Sequence, residues 1–145
     1  MTFIPKSDNF EARVRDSFAQ QKVMQTFSAS LGKIAPGKVE IILPFRDDLT
    51  QQDGFLHAGV ISTILDSACG YAAYTLMPEK ANVLAVEFKI NFLSPAIGEC
   101  VIARARVKKP GRTLTVCEAD AFAVQGGAEK LVAAMQSTMM AVLDR

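Results

Sequence analysis

Between Gly54 and Pro78 the sequence carries a single Asp, Glu, Lys or Arg, the carboxylate of Asp66. Apolar side chains recur there at Val60, Ile61, Ile64, Leu65, Ala68, Cys69, Ala72, Ala73 and Leu76, which is α-helical spacing. A helix apolar around most of its circumference is stable only when it is surrounded. The rest of the chain must therefore wrap it. A carboxylate in the middle of such a helix is costly unless it is paired or hydrogen-bonded. Asp66 is accordingly either a structural acid, capping another element or paired with a basic side chain, or a group kept for chemistry.

The flanking sequence supplies the wrapping. Residues 10–20 place Phe10, Val14 and Phe18 on one face of a short amphipathic helix. Residues 28–34 and 39–45 flank the turn Ala35-Pro36-Gly37-Lys38 and read as a hairpin. Residues 46–56 form a polar loop, and Pro78 helps to stop the long helix. Beyond it the period changes to two. Leu84, Val86, Phe88, Ile90 and Phe92 alternate with Ala85, Glu87, Lys89 and Asn91, a strand with one apolar face. Val101, Ala103, Ala105 and Val107 alternate with Ile102, Arg104, Arg106 and Lys108, and residues 113–124 and 130–143 continue as strands. The expected order is hairpin, long helix, four-strand meander. The fold class is α+β, a curved antiparallel sheet around one central helix. At 145 residues the chain is of one-domain length, assigned to 1–145 with the short helix at about 10–20.

Composition removes several classes of function. A net charge of +1, without aromatic residues interleaved among basic ones, argues against a nucleic-acid partner. The one histidine, His57, rules out a histidine-rich metal site, and Cys69, Cys100 and Cys117 lack zinc-like spacing. No metal or cofactor is expected. The cysteines read as small buried hydrophobes in a reducing compartment. Residues 58–77 have the length of a membrane span, but Asp66 and many small or hydroxylated side chains argue against one. The start, Met-Thr-Phe-Ile-Pro-Lys-Ser-Asp, lacks the basic and apolar regions of a signal peptide, so a cytoplasmic location is expected.

Ser62, Asp66 and Gly70 share one helical stripe, with Gly59 and Thr63 near it, and this small polar face leaves room beside the carboxylate. At the helix start, the N–H groups around Ala58 and Gly59 lack intrahelical partners and could polarise a carbonyl. Gly59 serves that role or close packing, and His57 serves it or a capping hydrogen bond. Ala58 and Asp66 lie roughly 12 Å apart along one helix. A carbonyl held at Ala58 is thus out of reach of Asp66 on the same chain. Two antiparallel helices in a twofold dimer would bring them together. Arg104, Arg106, Lys108, Lys109 and Arg112 form either an anion-binding cluster or a solvated sheet face.

His57-Ala58-Gly59-Val60 followed by Leu65-Asp66-Ser67-Ala68 resembles the His-Gly-Gly…Asp helix of hotdog-fold acyl-CoA thioesterases, in their phenylacetate-degradation (PaaI-like) branch. Asn91-Phe92-Leu93-Ser94-Pro95-Ala96 resembles that family's strand end, and Gly111-Arg112-Thr113 its following turn. The resemblance implies a hotdog fold, a homodimer at least and commonly a homotetramer, and hydrolysis of aryl or medium- to long-chain acyl-CoA without cofactor. It makes Asp66 the general base or nucleophile and gives the Ala58 N–H to the thioester carbonyl. Gln51 stands where the family often has Asn. Ala85 stands where some members carry a Ser or Thr that holds water. Lys89, Lys109, Arg112 and Thr113 are the residues expected to bind coenzyme A. Phe55, Leu56, Tyr71 and Tyr74 line the acyl pocket or pack an interface. Two alternatives are a non-catalytic acyl-CoA binding or regulatory module and a hotdog hydratase or dehydratase.

Overall fold

The computed structural model describes residues 2–143. The apolar run forms α3, Ala58–Tyr74, preceded by α1, Phe10–Gln20, and α2, Lys22–Thr26. The strands are β1, Ser30–Ala35; β2, Lys38–Pro44; β3, Asn82–Phe92; β4, Cys100–Lys109; β5, Leu114–Gln125; and β6, Ala128–Val142. Among the described residues they make one antiparallel sheet of six strands in the order β1-β2-β4-β5-β6-β3. The sheet curves around α3, which contacts β2, β3, β4, β5 and β6. This is the hotdog architecture expected from the sequence.

The core follows the alternation. Val39, Ile41 and Leu43 of β2, Val101, Ala103 and Ala105 of β4, and Cys117, Ala119 and Ala121 of β5 turn inward. They meet Ile61, Ile64, Leu65, Ala68 and Ala72 of the helix. The many alanines on the strands let the sheet approach a helix of unusually small side chains. Cys69 and Cys117 are buried free thiols, and burial pushes Cys69 up to about 12.

Three expectations are corrected. First, the last four strands are not a simple meander: β4, β5 and β6 are, but β3 crosses to the far edge and, among the described residues, pairs only with β6. Second, β3 does not keep one apolar face. A bulge between Ala85 and Glu87 shifts the register against β6. One extra residue reverses the phase of a strand. Ala85 pairs with Met139 and Phe88 with Ser137, both inward positions, while Leu84 pairs with Met140 on the other face. Third, α3 ends at Tyr74, before Pro78. Thr75 closes it, its hydroxyl donating to Ala72 O at 2.7 Å and accepting the Gly37 N–H at 2.8 Å.

β3 is also the least covered strand. Leu84, Val86, Phe88 and Phe92 are each 44–53% exposed, and one edge of the strand pairs with nothing among the described residues.

Candidate active site

The loop 46–56 is short on regular structure, but its backbone is tied down. His57 N donates to Leu49 O at 3.0 Å and Leu56 N to Ala96 O at 2.9 Å. A 3-10 turn at Asp47–Leu49 lies within it. Gln51 organises its tip. The carboxamide oxygen accepts from Asp53 N at 2.5 Å and Phe55 N at 3.3 Å. That oxygen is occupied, and only the amide NH2 is left to donate outward.

His57 is the N-cap of α3, with φ −62° and ψ 141°, and its Nδ1 accepts the Gly59 N–H at 2.8 Å. The capping role considered for His57 is the one found, and it occupies Gly59. The Ala58 N–H has no acceptor among the described residues. Ala58 lines a cavity of about 400 Å³ with Gln51, Phe55, Leu56, Ile61, Pro95 and Val132. A free amide at the positive end of a helix, in an apolar cleft, is suited to an oxygen that gains negative charge.

Asp66 faces a different cavity, of about 360 Å³, with Ser17, Gln20, Gln21, Ser67, Gly70, Tyr71, Val83, Ala85 and Met139. Among the described residues it makes no ion pair, and its Oδ1 is buried without a hydrogen bond. Neither structural alternative for Asp66, a cap or a basic partner, is realised among the described residues. Burial holds its carboxyl above the ordinary value of 3.8. The space beside it comes from Gly70, where an added Cβ would meet only Met139 Sδ, at 4.0 Å. The bulge in β3 brings Ala85 onto this inner side. Ser62 and Thr63, on or near the same stripe, turn their hydroxyls back to Ala58 O and Gly59 O at 2.8 Å each.

The basic strand residues resolve into two groups. Arg104 binds Glu40 at 2.7 Å and Glu129 through both terminal nitrogens at 2.6 and 2.7 Å. Arg106 pairs with Glu118 and Asp120, and Lys108 with Glu118. These three belong to an ion-pair lattice on the outer sheet face. Lys109 and Arg112 make no ion pair among the described residues. Arg112 borders a cavity beneath the N-terminal segment, with Phe3, Lys6, Leu76 and Met77. The turn there requires glycine at 111, since a Cβ would stand 2.0 Å from Leu114 O. Thr113 O accepts the Ala141 N–H at 2.8 Å. Lys89 sits elsewhere, on the outer face, donating to Asn91 Oδ1 at 2.8 Å. Of the four residues expected to bind coenzyme A, Arg112 and Lys89 line different cavities. Of the aromatic candidates, Phe55 lies at the Ala58 cavity, whereas Tyr71 lines that of Asp66.

Sequence reasoning did not anticipate Ser17, Gln20 and Gln21 in the Asp66 cavity. The amphipathic pattern of 10–20 located the helix but not the surface it covers. Among the described residues there is no cluster of three His, Cys, Asp or Glu able to hold a metal ion, and no helix is long and apolar enough to cross a membrane.

Comparison with known proteins bears on this arrangement. The sequence model of the thioesterase superfamily matches residues 53–130. Human acyl-coenzyme A thioesterase 13 is 34% identical over 103 residues, covering 66% of this chain and 72% of that protein. The crystal structure of a thioesterase family protein from Silicibacter pomeroyi superposes with a TM-score of 0.92 at 56% identity, covering 93% of this chain and 99% of the other. The PaaI protein of the E. coli phenylacetic acid degradation operon shares the fold, with a TM-score of 0.83 at 16% identity over 94% and 96% of the two chains.

Proposed function

Because the chain belongs to the thioesterase superfamily, we propose that it hydrolyses acyl-coenzyme A at two equivalent sites of a twofold homodimer. Membership supports hydrolase activity in general. The finer reading rests on one observation: Asp66 is an unpaired carboxylate beside a cavity in the middle of the core helix. A group left in that state by its own chain is available to substrate and water.

Ala58 and Asp66 line separate cavities and are separated by roughly 12 Å of helix rise. In this reading they act across the dimer, Asp66 of one protomer facing the helix start of the other. The unpaired edge of β3 and its exposed apolar side chains supply a self-complementary surface for such an assembly.

The thioester carbonyl oxygen accepts from the Ala58 N–H. Asp66 takes a proton from water as the water oxygen bonds to the carbonyl carbon, and the negative charge formed on the carbonyl oxygen is stabilised at the helix start. Collapse breaks the C–S bond. The coenzyme A thiolate receives the proton from Asp66, giving free acid and free thiol. A carboxyl raised by burial is a stronger base than an ordinary one, as this route requires. Gln51, with its oxygen occupied, contributes as a donor. Lys109 and Arg112, which make no ion pair among the described residues, are cations available to the coenzyme A phosphates. The free cysteines fit a reducing, cytoplasmic setting.

Purified protein incubated with aryl and aliphatic acyl-CoAs, with release of free thiol followed by absorbance, tests the proposal. Thiol release well above background on at least one substrate is expected. Binding without hydrolysis across the panel would refute it in favour of a non-catalytic acyl-CoA module.

A further inference from the structure

The segment before residue 53 lies outside the region matched by the family, yet it builds one side of the Asp66 cavity. α1 runs antiparallel to α3, and the contacts step along both helices. Arg13 donates to Met77 O at 3.3 Å and Pro78 O at 3.0 Å. Ser17 Oγ lies 3.2 Å from the Tyr71 hydroxyl, and Phe18 packs on the same ring. Gln21 Nε2 donates to Ser67 Oγ at 3.2 Å, one residue beyond Asp66.

Gln21 is placed by a break in the helical path. It is the C-cap of α1 and the N-cap of α2, with φ −80° and ψ 101°. Its N–H donates to Phe18 O, and its carbonyl accepts from Met24 N at 3.1 Å. These bonds fix the residue while its side chain crosses to α3. The carboxamide oxygen is buried without a partner. The other walls of the cavity are the core helix and strands β3 and β6, which are locked into the sheet. The α1 side is held mainly by side-chain contacts, and it is where cavity size can change without disturbing the sheet.

We propose that Gln21, clasped to Ser67, is the wall that limits the bulk of the acyl group admitted beside Asp66. The inference rests on the reading that this cavity takes the acyl group of an acyl-CoA. At about 360 Å³ the cavity is near the lower end of the ~300–1,000 Å³ usual for ligand pockets, so one side chain matters.

The test uses S-butyl- and S-dodecyl-coenzyme A, thioethers that cannot be hydrolysed, titrated calorimetrically into the wild-type protein and into Gln21→Ala and Gln21→Met. Gln21→Ala should improve the affinity for S-dodecyl-CoA relative to S-butyl-CoA by at least about four-fold, the worth of one further buried methylene. Gln21→Met, which keeps the volume and loses the clasp, should retain the wild-type ratio. An unchanged ratio in Gln21→Ala, or a Gln21→Met ratio that moves with it, would overturn the proposal. If Gln21→Ala does not fold, Gln21→Ser carries the same comparison. Hydrolysis of butyryl-CoA is measured separately. A protein that binds the thioethers with the expected ratios but cleaves nothing sinks the thioesterase reading and leaves the role of Gln21 standing. No binding by the wild type overturns both.

Discussion

The Nδ1 of His57 accepts the Gly59 N–H at 2.8 Å, and this bond divides the two amides at the head of α3 into one that is occupied and one that is free. The free amide can be removed without removing the helix. Ala58 is the first helical residue, where proline is tolerated because its missing N–H has no intrahelical role. His57, at ψ 141°, already has the extended conformation required before proline. Ala58→Pro should keep the melting temperature near that of the wild type and lower kcat by ~100-fold or more, the usual loss on deleting one oxyanion donor. Full turnover in a folded Ala58→Pro protein would exclude this amide from the reaction.

Asp66→Asn separates chemistry from stability. Activity should fall to a small fraction of wild type, because the amide cannot take a proton from water. Stability should move the other way. The folded-state carboxyl is raised above its ordinary 3.8, so the protonated form favours folding, and this contribution is lost as pH rises through the folded value. At pH 7 the Asn variant should therefore unfold at higher denaturant than the wild type, with the gap closing as pH falls below 3.8. A gap that widens on acidification would contradict the assigned cause of the shift. The acid limb of the wild-type rate profile should likewise be displaced upward from the ordinary value.

Ala85 stands beside Asp66 because of the bulge, and it offers no hydrogen bond. Ala85→Ser adds a hydroxyl on the inner side at little cost in volume. The expected result is a higher kcat with an unchanged coenzyme A inhibition constant, read from initial rates. A lower kcat would show that the open space itself is needed.

Gly70 is an interior helix position, where glycine is unfavourable relative to alanine by ~1 kcal/mol. The nearest atom to a built Cβ is 4.0 Å away, so alanine fits. Gly70→Ala should stabilise the fold by roughly 0.5–1 kcal/mol in urea unfolding. It should also raise KM for bulky acyl-CoAs, because it takes room beside the carboxylate. Destabilisation would mean that the helix packs more tightly at this point than its neighbours indicate.

Phe88 is 46% exposed on the edge strand β3. Phe88→Asp should shift the protein toward monomer in sedimentation velocity, with activity lost in the same proportion. A fully active monomer would refute a site shared between protomers.

The long helix and the alternating strands were legible because their periods are strong and their burial is one-sided. Residues 10–20 matched α1, and β4 alternates inward and outward as read. The bulge at Ala85 and Glu87 left no mark, since Leu84 to Phe92 reads as uninterrupted alternation. The extra residue is Val86 of β3, which falls between the paired positions Ala85 and Glu87 and looks in the sequence like any other apolar member of the run. The crossover of β3 was hidden for a similar reason: the turn at Ser94–Gly98 resembles a hairpin turn, but it carries the chain from the β3 edge past β6 and β5 to β4 in the interior of the sheet. Around the site, Asp66 stood out as a lone charge, whereas Gln21 looked like any polar residue at a helix end. Its place depends on a contact across 46 positions, which no local pattern encodes.

The strand order also dictates a sequence of events when the chain is made. β3 is complete at Phe92, but its sheet partner β6 begins only at Ala128. Until then the nascent chain carries an unpaired strand bearing Leu84, Val86, Phe88 and Phe92, and its pairing must wait for residues 133–142 to emerge. Loop closure over that separation makes the pairing late and slow, with a sticky edge exposed meanwhile. Truncation within β6 should therefore yield a chain that aggregates through β3 rather than one that is merely less active.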